Sequence, residues 1–211
     1  MKSDLNRFNW LSRNYDSLTK LVFGKAIFES QVHFLPLIKP GARVLILGGG
    51  SGELLLSLGR GNPHCQVCYV EASSGMLALA RKKTAGKFTE NVQFIHGTEE
   101  SIPEGVIFDA AITNFFLDLY PEDRLLGLCR QVIPKLHDGG LWLVSDFVDG
   151  GRWWHRIMLW LMYRFFVLTC RIEATRLPAW NYLLSLSGMR QREVKLFFGE
   201  FIKSAVYTRK T

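Results

Sequence analysis

The stretch VLILGGGSGE, residues 44–53, constrains this chain more than any other. The run ARVLILG is apolar without alternation, which describes a strand buried on both faces. Gly48, Gly50 and Gly52 then recur at every second position, directly before the helix-like GELLLSLGR. Glycines between a strand and a helix permit a tight turn and let a ligand approach the backbone. The amides opening that helix can receive a polar or anionic group. A dinucleotide fingerprint, G-x-G-x-x-G, needs Gly or Ala at residue 53. That residue is Glu53, so the pattern is G-x-G-x-G and speaks against a pyrophosphate on the helix terminus. Glu71 closes the next apolar run, QVCYVEA, 19 residues after Gly52. This is near the spacing of about 20 at which an acid meets ribose hydroxyls in nucleotide-binding sheets. A carboxylate that accepts two hydrogen bonds suits a vicinal diol.

The rest of the chain extends the same alternation. SSGMLALARKK predicts a helix with a serine cap and a cationic end, VQFIHG a third strand and FDAAITNF a fourth. PEDRLLGLCRQVIPKL predicts a helix with Pro in its first turn, and GLWLVSDF a fifth strand entered through Asp138-Gly139-Gly140. Strand and helix in turn, with short links, predict an α/β fold with a doubly wound, mostly parallel sheet. REVKLFF and FIKSAVYT, joined by Gly199-Glu200, add two strands as a tight hairpin and bring the sheet to seven. Upstream, residues 5–35 space apolar groups at threes and fours, as helices do, until Pro36 and Pro40-Gly41. Residues 152–170 and 178–187 also read as helical.

Composition is that of a globular domain, with 48% hydrophobic and 21% charged residues. The net charge of +7 is unevenly placed. Residues 1–149 hold 15 Lys/Arg against 16 Asp/Glu, whereas residues 150–211 hold 11 against 3. Four cysteines are too few for a disulfide scaffold, and the opening MKSDLNRFNWLSRNYDS has no apolar leader, so a reducing, cytoplasmic setting is expected.

The matching residues LILGGGSGELL, VEASSGMLALARKK, FIHGTEESIP, FDAAITNFFLDLY and HDGGLWLVSDF run in the order and spacing of a known family. Over nearly its whole length the chain resembles the class I S-adenosylmethionine-dependent methyltransferases. FNWLSRNYD at the N-terminus resembles the branch that includes ubiquinone/menaquinone and other lipid-type methyltransferases. The resemblance implies a Rossmann-like methyltransferase fold, in which 1–40 form a helical cap, 41–149 the cofactor-binding core, 150–190 a helical substrate cap and 191–211 the terminal hairpin. It implies S-adenosylmethionine as cofactor, with Gly48, Gly49, Gly50 and Gly52 along its methionine portion and Glu71 on its ribose. Ala72 and Met76 would pack near the adenine, Thr98 and Glu99 would meet the adenine edge, and Asn114 and Phe115 would stand beside the sulfonium. Tyr15 would close the pocket from the cap. Two positions depart from the family pattern: Ile46 stands where an acid is usual, and Thr98 where Asp is frequent.

Asp118, Tyr120, Asp146 and His155 follow the C-terminal ends of strands four and five, where open sheets place ligands. Asp118, Asp146 and His155 are thus candidate catalytic residues, as bases or as groups that position an acceptor, against a reading as ordinary loop polarity. His33, in an apolar helical run, reads as a core or cap residue. Cys65 and Cys68 form a C-x-x-C with no second pair, and Cys68 falls inside a strand, so core packing is expected and no metal. The aromatic and arginine-rich run RWWHRIMLWLMYRFF reads as a helix buried against the sheet or lining a substrate cavity, with peripheral membrane contact through 152–170 as the alternative. No nucleic-acid signature is recognisable. The expected activity is methyl transfer to a small hydrophobic or amphiphilic acceptor. A non-catalytic S-adenosylmethionine-binding module and a nicotinamide-dependent oxidoreductase are the alternatives.

Overall fold

The structure, a computed structural model, describes residues 22–88, 90–170, 174 and 176–210, of which 165–170 by backbone alone. Along the chain run α1 (Ala26–Val32), β1 (Arg43–Leu47), α2 (Glu53–Gly61), β2 (Gln66–Glu71), α3 (Ser74–Thr84), β3 (Val92–His96), β4 (Phe108–Asn114), α4 (Glu122–Val132) and β5 (Leu136–Phe147). There follow α5 (Trp153–Cys170), α6 (Trp180–Leu186), β6 (Met189–Phe197) and β7 (Ile202–Arg209). The helical reading of residues 5–21, Tyr15 included, lies outside the described residues.

One seven-stranded sheet has the order β3-β2-β1-β4-β5-β7-β6. The first five strands are parallel, and β7 runs antiparallel to both β5 and β6. The chain steps outward from β1 to β3 and returns to β4 on the other side of β1. The crevice between β1 and β4 is therefore the topological switch point, where such sheets bind ligands.

The unbroken apolar run in β1 has a direct cause. Leu45 and Leu47 enter one core with Leu125, Leu128 and Trp142, whereas Val44 and Ile46 enter the other with Leu55, Leu58 and Ala80. Successive side chains point to opposite faces, and both faces are covered, so every position must be apolar. Cys65 joins one core and Cys68 the other. They lie on opposite sides of the sheet and do not form a common clamp. Buried polar atoms are matched across elements: Trp142 Nε1 donates to Thr113 Oγ1 at 3.0 Å, and Trp180 Nε1 to the Phe147 carbonyl at 2.9 Å. Ser145 Oγ donates to the Ser30 carbonyl at 2.8 Å, which fastens α1 to β5. His33 sits at the C-cap of α1, edge-on to Phe34 and Phe197.

Two expectations need correction. The β6–β7 connection is not a two-residue turn: Phe197 pairs with Ile202, which leaves four residues, and Phe198, Gly199 and Glu200 all have positive φ (48°, 58° and 71°). Left-handed non-glycine residues persist where surroundings over-determine them. Here Arg152 pairs with Glu200 at 3.1 Å, and His155 Nε2 lies 3.1 Å from the Gly199 carbonyl. The second correction concerns α5, which over residues 153–164 buries one face and leaves Trp153 75% exposed.

Trp180 is 1% exposed, and it anchors α6 through packing and through its bond to β5. Trp180→Ala is expected to lower stability by about 3–5 kcal/mol, measured as a shift in urea denaturation, with little change in slope.

Candidate functional site

The glycine loop leaves β1 through Gly48, whose amide donates to the Val70 carbonyl at 2.9 Å. Gly48, Gly50 and Gly52 all have left-handed φ, of 63°, 65° and 88°. The glycines differ in what surrounds them. A Cβ would stand 2.4 Å from the Phe116 ring at Gly48, 2.2 Å from the Tyr69 ring at Gly49 and 2.9 Å from the Ala80 backbone at Gly52. Those three are demanded by close packing. At Gly50 a Cβ would meet nothing within 4 Å, so its face of the loop opens onto free space that a ligand can fill.

Glu71, at the end of β2, holds this loop. Its Oε2 accepts from the Gly50 amide at 2.9 Å and its Oε1 from the Ser73 amide at 2.8 Å. A carboxylate has about four lone-pair sites, so acceptor capacity remains for another donor. Burial raises the Glu71 pKa, against the opposing pull of the Ser73, Gly50 and Ala72 amides and the nearby His96. Tyr69 clamps the loop from below, its hydroxyl donating to the Gly50 carbonyl at 2.8 Å. Sequence reasoning passed over Tyr69, because an aromatic residue inside a core strand is indistinguishable from packing. Ser73 caps α3 as expected, its Oγ accepting from Met76 N at 3.3 Å. Beyond the end of β2, Ala72 is exposed and Met76, in α3, is half-buried. Thr98 is exposed beyond β3, whereas Glu99 is buried and committed elsewhere. Its carboxylate pairs with Arg124 at 3.0 Å and accepts from the Tyr120 hydroxyl at 3.2 Å, joining the turn after β3 to α4.

Across the switch point, β4 ends in Asn114 and Phe115. Asn114 Nδ2 is buried and has no hydrogen-bond partner among the described residues. Phe115 has φ 50°, its amide donates to the Ser145 carbonyl at 2.7 Å, and its ring lies 4.9 Å from that of Phe147. It belongs to an apolar cluster with Phe23, Phe147, Phe201, Trp154, Met158 and others. One wall of the crevice is thus polar and amide-rich, and the other aromatic.

The three candidate catalytic residues are all buried, and Asp146 and His155 bond to backbone groups. Asp146 is fully buried. Its Oδ2 lies 3.2, 2.9 and 3.3 Å from the amides of Phe116, Leu117 and Asp118, and its Oδ1 accepts from Phe147 N at 2.8 Å. Those four donors occupy the carboxylate and shape the turn after β4. Asp118 lies against it, 5% exposed, with Oδ1 unpartnered among the described residues. Burial raises the pKa of both carboxyls, Asp146 to about 7, and the proximity of Asp146 pushes Asp118 further up. The amides favour charge on Asp146, so Asp118 carries the proton. His155 is fully buried, its Nδ1 accepting from Gly150 N at 2.9 Å and its Nε2 facing the Gly199 carbonyl. Those partners fix the ring's orientation and join the β5–α5 loop to the hairpin.

Free space beside Gly50, a carboxylate with unused lone pairs and an orphaned amide at Asn114 fit a ligand that presents hydroxyls and polar groups across the crevice. Comparison with known proteins agrees. Residues 44–140 match the methyltransferase domain family. The chain is 30% identical to a demethylmenaquinone methyltransferase of Thermus thermophilus, over 66% of this chain and 64% of that one. It is 26% identical to the ubiquinone/menaquinone biosynthesis C-methyltransferase UbiE of Methylobacterium nodulans, over 66% of this chain and 57% of that one. The match thus spans about three fifths of these relatives. Among solved structures, human N-acetylserotonin methyltransferase in complex with SAM superposes with a TM-score of 0.67 over 100% of this chain and 57% of that one, at 17% identity, which speaks to the fold. Over 44–140 the chain is thus similar to the methyltransferase domain family, and over about two thirds of its length it is similar to quinone-type methyltransferases.

The carboxyl pair makes stability depend on pH. Between the ordinary Asp pKa of 3.8 and about 7, the folded chain keeps protons that the unfolded chain releases, so stability falls as pH rises through that window. Asp118→Asn preserves the shape of the protonated form. It is expected to raise stability at alkaline pH by about 1–3 kcal/mol and to flatten the dependence, as read from urea denaturation across the window.

Proposed function

We propose that this methyltransferase domain binds S-adenosylmethionine at the glycine loop and passes its methyl group to a lipophilic small molecule. The observation that carries the reading is Glu71, buried at the end of β2 and holding the Gly50 amide where the loop opens onto free space. In this reading Glu71 holds the ribose diol and the glycine amides face the methionine portion. Ala72 and Met76 line the adenine side, with Thr98 at its edge. The Asn114 amide finds its missing partner on the cofactor. When bound, the cofactor supplies a methyl carbon made electrophilic by an adjacent sulfonium. The chain's own contribution is then position and dryness. Phe115 and Phe147 exclude water from the acceptor side, and an acceptor held in line with the reacting bond gains most of the rate enhancement that orientation provides. Asp118, Asp146 and His155 hold the turns that carry these groups and take no proton from the acceptor.

The aromatic cluster around Phe115 favours a hydrophobic or amphiphilic acceptor. The quinone methyltransferases among the relatives point to the same class, so a quinone-like ring is the first acceptor to offer. A second reading, cofactor binding without turnover, is favoured by Ile46. It is 1% exposed and committed to the core where the family usually has an acid.

Calorimetric titration with S-adenosylmethionine and S-adenosylhomocysteine tests the site. The wild type is expected to bind both, and Glu71→Ala about 10–100-fold more weakly, the loss typical of a hydrogen bond to a charged group. Because the Glu71 pKa is raised, affinity should fall with decreasing pH earlier than for an ordinary glutamate. No binding by the wild type would refute the reading. Product formed only on hydrophilic acceptors would refute the acceptor class, and tight binding with no product on any acceptor would favour the second reading.

A further inference from the structure

α5 has two faces of opposite habit. Inward, His155 is fully buried, and Trp154, Met158 and Met162 pack on the aromatic cluster beneath. Outward, Trp153, Ile157, Trp160 and Leu161 are 75%, 49%, 58% and 50% exposed. A surface helix ordinarily turns charged and polar residues to water and its apolar stripe to the core. Here both stripes are apolar. At about 100° per residue, Arg156, Trp160, Trp153, Arg164 and Ile157 fall within one arc of about 100°. His155, Met158 and Met162 lie opposite.

The cations are interleaved with the exposed rings. The Arg164 guanidinium lies 5.3 Å from the centre of the Trp160 ring. Arg152 pairs with Glu200 at 3.1 Å, and Arg156 stands at a looser 3.9 Å from Asp149, so both are only partly neutralised on the exposed surface. Residues 150–211 carry 11 Lys/Arg against 3 Asp/Glu, which selects an anionic partner. Tryptophan at the level of lipid head groups, with arginine reaching anionic lipid beside it, is the composition of a helix lying in a membrane interface. None of the described helices is long and apolar enough to cross a membrane.

We propose that the outward face of α5 seats in the head-group layer of an anionic bilayer, with Trp153, Ile157, Trp160 and Leu161 entering the acyl boundary and Arg156 and Arg164 meeting lipid phosphates. This does not rest on the proposed methyl transfer. It adds that the helix whose inner face closes the aromatic side of the crevice carries the membrane contact on its outer face.

Flotation of the full chain with vesicles tests it, using phosphatidylcholine alone and a roughly 3:1 mixture of phosphatidylcholine with phosphatidylglycerol. Binding to the anionic vesicles is expected to be about ten-fold tighter and to weaken with salt. Trp153→Ser/Trp160→Ser should lower binding to the anionic vesicles about ten-fold. Arg156→Glu/Arg164→Glu should abolish the preference for them. Thermal midpoints of both variants near that of the wild type establish that they fold, and either variant alone suffices to decide. Absence of binding to either vesicle, or undiminished binding by both variants, overturns the proposal. So does a wild-type dimer that Trp153→Ser/Trp160→Ser converts to monomer without vesicle binding, since the face then belongs to a second copy. Shielding of Trp153 from an aqueous quencher without lipid, read by comparison with Trp153→Phe, shows a face already covered by the chain itself and equally overturns it.

Discussion

β1 is paired on both edges, to β2 and β4, and covered on both faces by separate cores. That constraint leaves it no freedom to slide or tilt, and it sets where the chain emerges at Gly48. A loop launched from such a strand can be short and strained without being mobile, because its entry point is held by packing of near-crystalline density. The switch point beside β1 follows from the same placement. The strand has neighbours reached by opposite turns of the chain, and the loops on its two sides part to leave a crevice.

Two buried carboxylates then perform related tasks on the two sides of that crevice. Glu71 gathers the amides of Gly50 and Ser73 at the end of β2. Asp146 gathers four amides at the ends of β4 and β5. In both cases a negative charge satisfies backbone donors that would otherwise be stranded out of water, and the turn is shaped by the donors it must supply. The difference is what remains. Asp146 is used up by its amides and its neighbour Asp118, whereas Glu71 stands beside open space with acceptor capacity left.

The fold was largely legible along the chain because its signals are local. Strand burial shows in apolar runs, helix ends in Ser73 and Pro121, and the loop in glycines whose φ no other residue tolerates cheaply. Glu71 was legible because the intervening helix and turns fix its distance from Gly52. The backbone partners of Asp146 and His155 were not legible, for a definite reason. A polar residue at the end of a strand serves a ligand or the backbone equally well, and the choice depends on segments far along the chain. Three of the four amides on Asp146 lie 28–30 residues away, and the Gly199 carbonyl facing His155 lies 44 residues away.

The sequence by itself therefore determined the order of strands and helices, the glycine loop and the acid that answers it. These depend on backbone conformation and side-chain periodicity, which neighbouring residues impose. Only the tertiary structure decided which polar residues are spent on holding turns, that Tyr69 clamps the loop, that the hairpin has four residues and that α5 shows water an apolar face. Each of those turns on which surfaces meet once the sheet has closed, and that meeting is a property of no single segment.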